Sequence, residues 1–346
     1  MATIPPVEVP QGAIRFNTDS HKLEFYAQGE WWQMTTDVAT DTGGTRGCFG
    51  WKFDDSANSG VIDYVTIESQ GNAADFGDLQ RSYYGGACGS RTRGFWFGGD
   101  GDSNVIDMVE FATVANATDF GDLTGGVRYN PAGVSSRTRG IRLGGATSPT
   151  SAIDIIDYWQ MSIKGNAVDF GDLSTATRFS TSCNSETRGV VSGGSWQNPS
   201  PYNTNRIEYI TMASTGNGVD FGDLARRYID SGNGACGSST RGLFVHGYTQ
   251  PGGEYVNNVD MITIATTGNA TDFGDSTTKR GYPAVTSSST RAVAGGGYAP
   301  DQPSPYYTNI IDYVEIASRG NWSDFGDRTV AGSYCAGTSN GHGGLG

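Results

Sequence analysis

Asp75-Phe76-Gly77-Asp78 occurs again at 119–122, 169–172, 220–223, 272–275 and 324–327. The six phenylalanines, Phe76, Phe120, Phe170, Phe221, Phe273 and Phe325, stand 44, 50, 51, 52 and 52 residues apart. A period near fifty marks a repeat array whose unit is a propeller blade or a similar small sheet. Repeats that share a core count as one architecture, so the 346 residues need not be cut into average-sized domains.

Reading outward from that phrase, each unit opens on Thr-Arg-Gly (Thr45-Arg46-Gly47, Thr92-Arg93-Gly94, Thr138-Arg139-Gly140, Thr187-Arg188-Gly189, Thr240-Arg241-Gly242) or on the degenerate Thr290-Arg291-Ala292. An apolar run, usually a Gly pair, a variable loop and a second apolar run such as 105–111 follow before Asp-Phe-Gly-Asp returns. This predicts three firm strands and a short fourth per unit. The strands are apolar on both faces, as in sheets sandwiched between neighbours. With 52 glycines and no capped helical periodicity, the chain reads as all-β. After the sixth unit, Ser333-Tyr-Cys-Ala-Gly-Thr-Ser-Asn-Gly341 aligns with the end of 82–94, Cys335 on Cys88 and Gly341 on Gly94, yet no further unit follows. The C-terminal strand is therefore expected to complete the unit begun at Thr45 and to close six blades.

Ahead of the repeats, residues 1–10 are an extended lead with Pro5, Pro6 and Pro10, followed by three short strand-like runs, 12–17, 22–26 and 30–34. Ile14, Phe16, Leu23, Phe25, Tyr26, Trp31 and Trp32 are more apolar surface than so small a meander can bury, so it should pack on copies of itself or on a partner.

The repeat unit resembles a kelch-type blade, a likeness carried by the Gly pairs 98–99, 144–145, 193–194 and 295–296 over residues 45–341. His246-Gly247 and Gly50-Trp51 depart from it, and Asp-Phe-Gly-Asp stands where such blades usually have a Trp. The resemblance implies an all-β fold, a six-bladed kelch-like β-propeller over 41–346 with a small N-terminal β-meander over 1–40. Repeats reading Gly-Asn-Ala-x-Asp-Phe-Gly-Asp-Leu also resemble those of marine bacteriophage virion proteins. The meander, through Gly12, Ile14, Arg15, Phe16, Asn17, Thr18, Glu24, Tyr26 and Trp32, resembles short modules of tail-fibre and other virion proteins. Together they imply a virion protein of tail-fibre or spike type, made in the host cytoplasm and held to other virion proteins through 1–40.

Net charge is −13, which argues against nucleic acid, because a phosphate-binding surface must collect Lys and Arg. No apolar run is long enough to span a bilayer, and residues 1–11 lack the pattern of a secretory signal. Half of the 36 acids, 18, belong to the repeat pattern itself, at the two positions of Asp-Phe-Gly-Asp and the one of Ile-Asp-Tyr. Cys88, Cys183, Cys236 and Cys335 read as one equivalent position, so far apart in space, as reduced thiols packed like small hydrophobes. No cofactor is called for. Calcium is the one metal to weigh, since Asn72, Asp75 and Asp78 put three oxygen ligands within seven residues. The alternative is structural: the first Asp bonds backbone N–H groups in a turn, Phe fills the gap between blades and Gly takes a positive φ. The Arg of Thr-Arg-Gly is expected to brace a recurrent Asp of the same or the next blade. His21, His246 and His342 are unclustered, no Ser-His-Asp or Cys-His arrangement stands out, and the chain is read as non-enzymatic. A two-carboxylate glycosidase is the competing class.

The loops after the Gly pair supply the functional signal. They are short at 54–60 and 100–104, but long and aromatic at 195–204, 248–255 and 297–307. Insertions at one place in consecutive blades gather on one face, and recognition surfaces favour Tyr, Trp and Pro-stiffened loops. Trp196, Tyr202, Tyr248, Tyr255, Tyr298, Tyr306 and Tyr307, beside Gln197, Asn198, Asn203 and Asp301, are the candidate binding residues. Stacking rings flanked by amides suit a host-surface polysaccharide. A decoration protein of capsid or tail without a host ligand is the alternative.

Overall fold

A computed structural model describes residues 9–17, 22–33, 45–54, 58–80, 84–99, 103–126, 129–148, 151–195, 204–229, 234–245, 247–250 and 252–345. The chain falls into two compact units, Met1–Gly44 and Thr45–Gly346.

The first unit is an antiparallel sheet of β1 (Ile14–Asn17), β2 (Lys22–Ala27) and β3 (Glu30–Gln33) in the order β1-β2-β3. Gln28 and Gly29, at φ 54° and 86°, make the two-residue turn that pairs Ala27 with Glu30; positive φ at both positions suits the right-handed twist of the flanking strands. Side chains alternate across the sheet. On one face Glu24 accepts from Arg15 Nε and from Asn17 Nδ2, each at 2.8 Å, and Arg15 lies 4.1 Å over the Trp31 ring. The opposite face carries Ile14, Phe16, Leu23 and Trp32, all about half exposed or more.

The second unit is all-β and propeller-like. Its described residues form six four-stranded antiparallel sheets and one two-stranded sheet. The second sheet is typical: an inner strand Gly85–Gly89, then Arg93–Gly98 and Val105–Glu110, then an outer strand Thr118–Asp122. Each unit thus has four strands where the sequence predicts three and a short fourth. Thr-Arg-Gly begins the second strand, Ile-Asp-Tyr lies in the third, and Asp-Phe-Gly-Asp is itself the outer strand rather than a turn. The inner strands, Gly85–Gly89, Ala132–Ser135, Thr181–Asn184, Ala235–Gly237, Ala284–Ser287 and Ala336–Ser339, touch in succession, and the last touches the first.

The tail strand Ala336–Ser339 pairs with Arg46–Phe53 and completes the sheet begun at Thr45. Its register differs from the one read in the sequence. Thr338 faces Cys48 as Cys88 faces Phe95, so Thr338 is the equivalent of Cys88, and Cys335 sits three residues earlier. There its Sγ takes a bond of 2.8 Å from Arg328 Nη1. All five cysteines are buried free thiols, and burial raises Cys236 to about 12.

Three recurring contacts join each sheet to the next and run all the way round. In the first, the Asn three residues before Asp-Phe-Gly-Asp accepts from the backbone N–H of the last Asp in the preceding repeat. Asn116 takes Asp78, Asn166 Asp122, Asn217 Asp172, Asn269 Asp223, Asn321 Asp275 and Asn72 Asp327, at 3.0–3.1 Å. The leading Asp, from Asp75 to Asp324, is exposed, contrary to the expectation that it would cap backbone N–H groups. At the Gly the outer strand comes close to the neighbouring repeat. Gly121 sits at φ 159°, where a β-carbon would lie 2.3 Å from the Gly165 carbonyl. The Phe rings are buried between sheets as expected, Phe76 and Phe120 at 0% and 1% exposure. Each of six buried clusters joins one such Phe to the apolar strands of the following repeat, as Phe76 joins Trp96, Val109 and Phe111.

In the second contact the Arg of Thr-Arg-Gly reaches backbone carbonyls of the next repeat. Arg139 Nη1 donates to Met212 and Ala213 at 3.2 and 3.0 Å while its guanidinium lies 4.9 Å over Tyr158. Arg93, Arg188 and Arg241 repeat the bond, Arg46 reaches Phe111, and Arg291 crosses from the sixth repeat to Ile67 and Glu68 of the first. The brace exists, but on carbonyl oxygens rather than on a recurrent Asp. The strand register holds the pattern carboxylates one layer deeper. In the third contact those carboxylates, on Asp63, Asp107, Asp157, Glu208, Asp260 and Asp312, accept from the second residue after the outer strand of the preceding repeat. Three also pair with wholly buried arginines: Asp157 with Arg142, Asp312 with Arg280 at 2.6 Å and Asp63 with Arg328 at 2.9 Å.

Candidate functional site: the tyrosine face

The long loops of the fifth and sixth repeats fold back as short hairpins. In the fifth repeat Tyr248–Gln250 pairs with Arg227–Ile229 as a two-stranded sheet, and Val256 N–H returns to the Gly247 carbonyl at 3.0 Å. In the sixth, Ala299 N–H bonds Tyr306 O at 2.7 Å, and Tyr298 bridges both Gly281 and Tyr307. These bonds set the positions of the rings. Tyr248 lies 5.1 Å from Tyr255, Tyr255 5.3 Å from Tyr298, and Tyr298 6.2 Å from Tyr306 and 5.7 Å from Tyr307. Five of the seven candidate residues thus form one chain of rings, four half-buried and Tyr306 exposed. Trp196 and Tyr202, with Gln197, Asn198 and Asn203, lie outside the described residues. Asp301 is exposed, with Lys279 at 4.0 Å.

The chain of rings continues into residues that sequence reading missed. Phe53 lies 6.3 Å from Tyr307, 5.2 Å from Tyr334 and 6.2 Å from Tyr84. Tyr334 lies 4.3 Å from Tyr84 and 3.9 Å from Tyr282, which in turn lies 5.9 Å from Phe179. Tyr84, Phe179, Tyr282 and Tyr334 each stand just before an inner strand, so their rings collect where those strands begin. The signal was there: aligning the repeats on the inner strand instead of on Asp-Phe-Gly-Asp stacks these four aromatics in one column.

At the other end of the inner strands the chain's own tail fills the space. Gly343–Leu345 forms a 3-10 turn with Leu345 1% exposed. His342 Nε2 donates to the Gly89 carbonyl at 2.8 Å, and its Nδ1 accepts from Gly344 N–H at 3.2 Å. The Leu345 carbonyl accepts from Arg91 Nη2 and Arg137 Nε. Burial pulls the His342 imidazole down to about 4, against the raising effect of the Gly89 carbonyl and with the added push of the Arg91 charge. The cavity left among the inner strands is about 40 Å³, room for water and no organic ligand. Two clefts of about 440 and 410 Å³ flank this end, but their arginines are engaged: Arg139 and Arg93 on carbonyls, Arg137 on Glu186 at 2.6 Å.

For a metal the geometry offers little. The Asn oxygen of the calcium reading is spent on the neighbouring repeat, and no group of three His, Cys, Asp or Glu side chains gathers among the described residues. His21 and His246 lie outside them.

No family model matches the chain, and no curated protein is similar to it. Among solved structures, "Structure of YjhT" is similar, with a TM-score of 0.58 at 10% identity over 73% of this chain and 86% of that one. At that identity the likeness concerns the fold alone.

Proposed function

We propose that the chain is a non-enzymatic structural component of a bacteriophage particle, a fibre or spike protein whose six-bladed kelch-like propeller binds a host-surface glycan. The observation that carries this reading is the continuous run of tyrosines on one end of the second unit. A pyranose presents an apolar face that stacks on such rings, while its hydroxyls need polar partners at the edge. The count of six blades is supported by six sheets of one strand order whose inner strands touch in a closed succession, each tied to the next by the same Asn and Arg bonds.

The virion assignment rests on the resemblance of both halves of the sequence to phage particle proteins. The meander's bare face of Ile14, Phe16, Leu23 and Trp32 supports an attachment role for 1–40, either to other virion proteins or to further copies of the chain. In this reading the protein resides in the virion and is made in the host cytoplasm, with neither nucleic acid nor a membrane among its partners. Against the competing glycosidase, the pattern carboxylates support a structural role, because they serve the contacts between sheets.

The test has two arms. Mass spectrometry of purified particles should find the protein at a fixed stoichiometry. Shortening 298–308 to the length of 100–104 should leave melting nearly unchanged and abolish binding of a multimerised protein to host cells, multimerised because many weak sites act together. Undiminished binding by the folded, shortened variant removes the tyrosine face from host recognition, leaving a decoration protein. Altered polysaccharide after incubation points to the enzyme.

A further inference from the structure

Three residues before the equivalent inner-strand positions Ala87, Gly133, Ser182, Val285 and Gly337 stand Tyr84, Asn130, Phe179, Tyr282 and Tyr334. All five have left-handed backbone, with φ of 66°, 47°, 57°, 55° and 55°. That conformation suits Gly and Asn and disfavours bulky side chains. Asn130, and Gly232 by sequence in the fifth repeat, are what such a turn asks for. Four repeats instead place an aromatic ring there, against the preference of the backbone. The rings come from the first, second, fourth and sixth sheets, yet meet as one collar, with Tyr282–Tyr334 at 3.9 Å and Tyr84–Tyr334 at 4.3 Å.

Phe53 joins this collar to the loop tyrosines. From Tyr248 through Tyr255, Tyr298, Tyr307, Phe53, Tyr334 and Tyr282 to Phe179 the rings run without a break, each step between 3.9 and 6.3 Å. One sugar ring cannot cover eight aromatic rings. We propose that the half-buried collar rings Tyr84, Phe179 and Tyr334, with Tyr282 only 7% exposed and packed against Tyr334, form a second subsite, which takes the next pyranose units of a chain whose first units stack on the loops. The ligand class is then an oligosaccharide several units long rather than a single sugar. This rests on the glycan reading above and adds both the site's extent and the ligand's length.

Asn130 supplies the test, because it shows the residue this turn accepts without a ring. A Tyr84→Asn, Phe179→Asn double variant should fold with a melting temperature at or near the parent's. The probes are polysaccharide from the host surface and its acid-hydrolysis fragments, graded by length. Parent affinity should rise with fragment length until the collar is filled. The variant should match the parent on the shortest fragments and fall at least tenfold behind on long ones, and Phe179→Tyr should behave as the parent. If the variant melts lower but binds every length like the parent, the rings only close the core and the subsite is wrong. If Tyr298→Ala loses binding while the Asn variant keeps it, the collar falls and the loop site stands. If the multimerised parent binds no fragment, or binds cells equally after periodate oxidation of their sugars, the glycan reading itself falls.

Discussion

At the scale of single residues, two arginines three positions apart show how burial decides the worth of a charge. Arg139 holds two carbonyl oxygens of the next repeat and stacks on Tyr158, with its guanidinium partly in water. Arg142 and Asp157 are both at 0% side-chain exposure. Removing Arg139 frees carbonyls that water can reach, at about 1–2 kcal/mol, whereas removing Arg142 strands a buried carboxylate at about 3–5 kcal/mol. Denaturant titration should therefore rank Arg142→Ala well below Arg139→Ala, and equal midpoints would contradict the burial of the pair. His342 gives a pH dependence whose sign follows from its environment. The unfolded chain takes up the proton near 6.5 and the folded one only near 4, so the contribution is complete above 6.5 and is lost as pH falls toward 4. Over that window it amounts to about 3 kcal/mol. The stability gap between parent and His342→Gln should narrow steadily from pH 7 to pH 4.5, and a constant gap would mean that the imidazole titrates normally.

Among elements, the outer strand holds the clearest division of labour. Within Gly165-Asn166-Ala167-Val168-Asp169, Asn166 is the tie to the preceding repeat and Asp169 faces solvent. Asn166→Ala should cost about 1 kcal/mol, Asp169→Asn close to nothing, and a calcium chelator should leave melting unchanged. A chelator-induced drop would revive the calcium reading. The repeat, its strand pattern, the buried Phe and the positive-φ Gly were legible in the sequence because each is local, set by period and turn chemistry. The contacts of Asn, Arg and Asp that join one repeat to the next were not, because each reaches a neighbouring repeat at least 27 residues away. The tail register slipped by three for a related reason: Ala336–Ser339 finds its place by pairing with Arg46–Phe53, and cysteine spacing carries no information about that pairing. In the candidate site the loop tyrosines stood out by composition, while the collar was hidden by variation from Tyr to Asn to Phe to Gly at one position.

For the whole second unit, stability is spread over nearly identical joints, so the first sheet is where the circle is most easily opened. It is the only one of the six whose inner strand comes from the far end of the chain. Deleting 329–346 strips the pairing edge from Arg46–Phe53 and takes away Thr338, Ser339 and the His342 turn together. An unpaired edge of this kind recruits other chains, so the truncated protein should elute as soluble aggregate and be cut quickly by protease. A monomeric, protease-resistant truncation would show that the remaining strands close without it.

The pairing of Arg46–Phe53 with Ala336–Ser339 also orders events in time. During translation the first sheet leaves the ribosome lacking its inner strand and waits, incomplete, while five further sheets are made. Only the arrival of residue 339 lets the circle shut. A polypeptide that stops before residue 336, however well folded in its finished sheets, keeps the edge of Arg46–Phe53 unpaired and open to other chains.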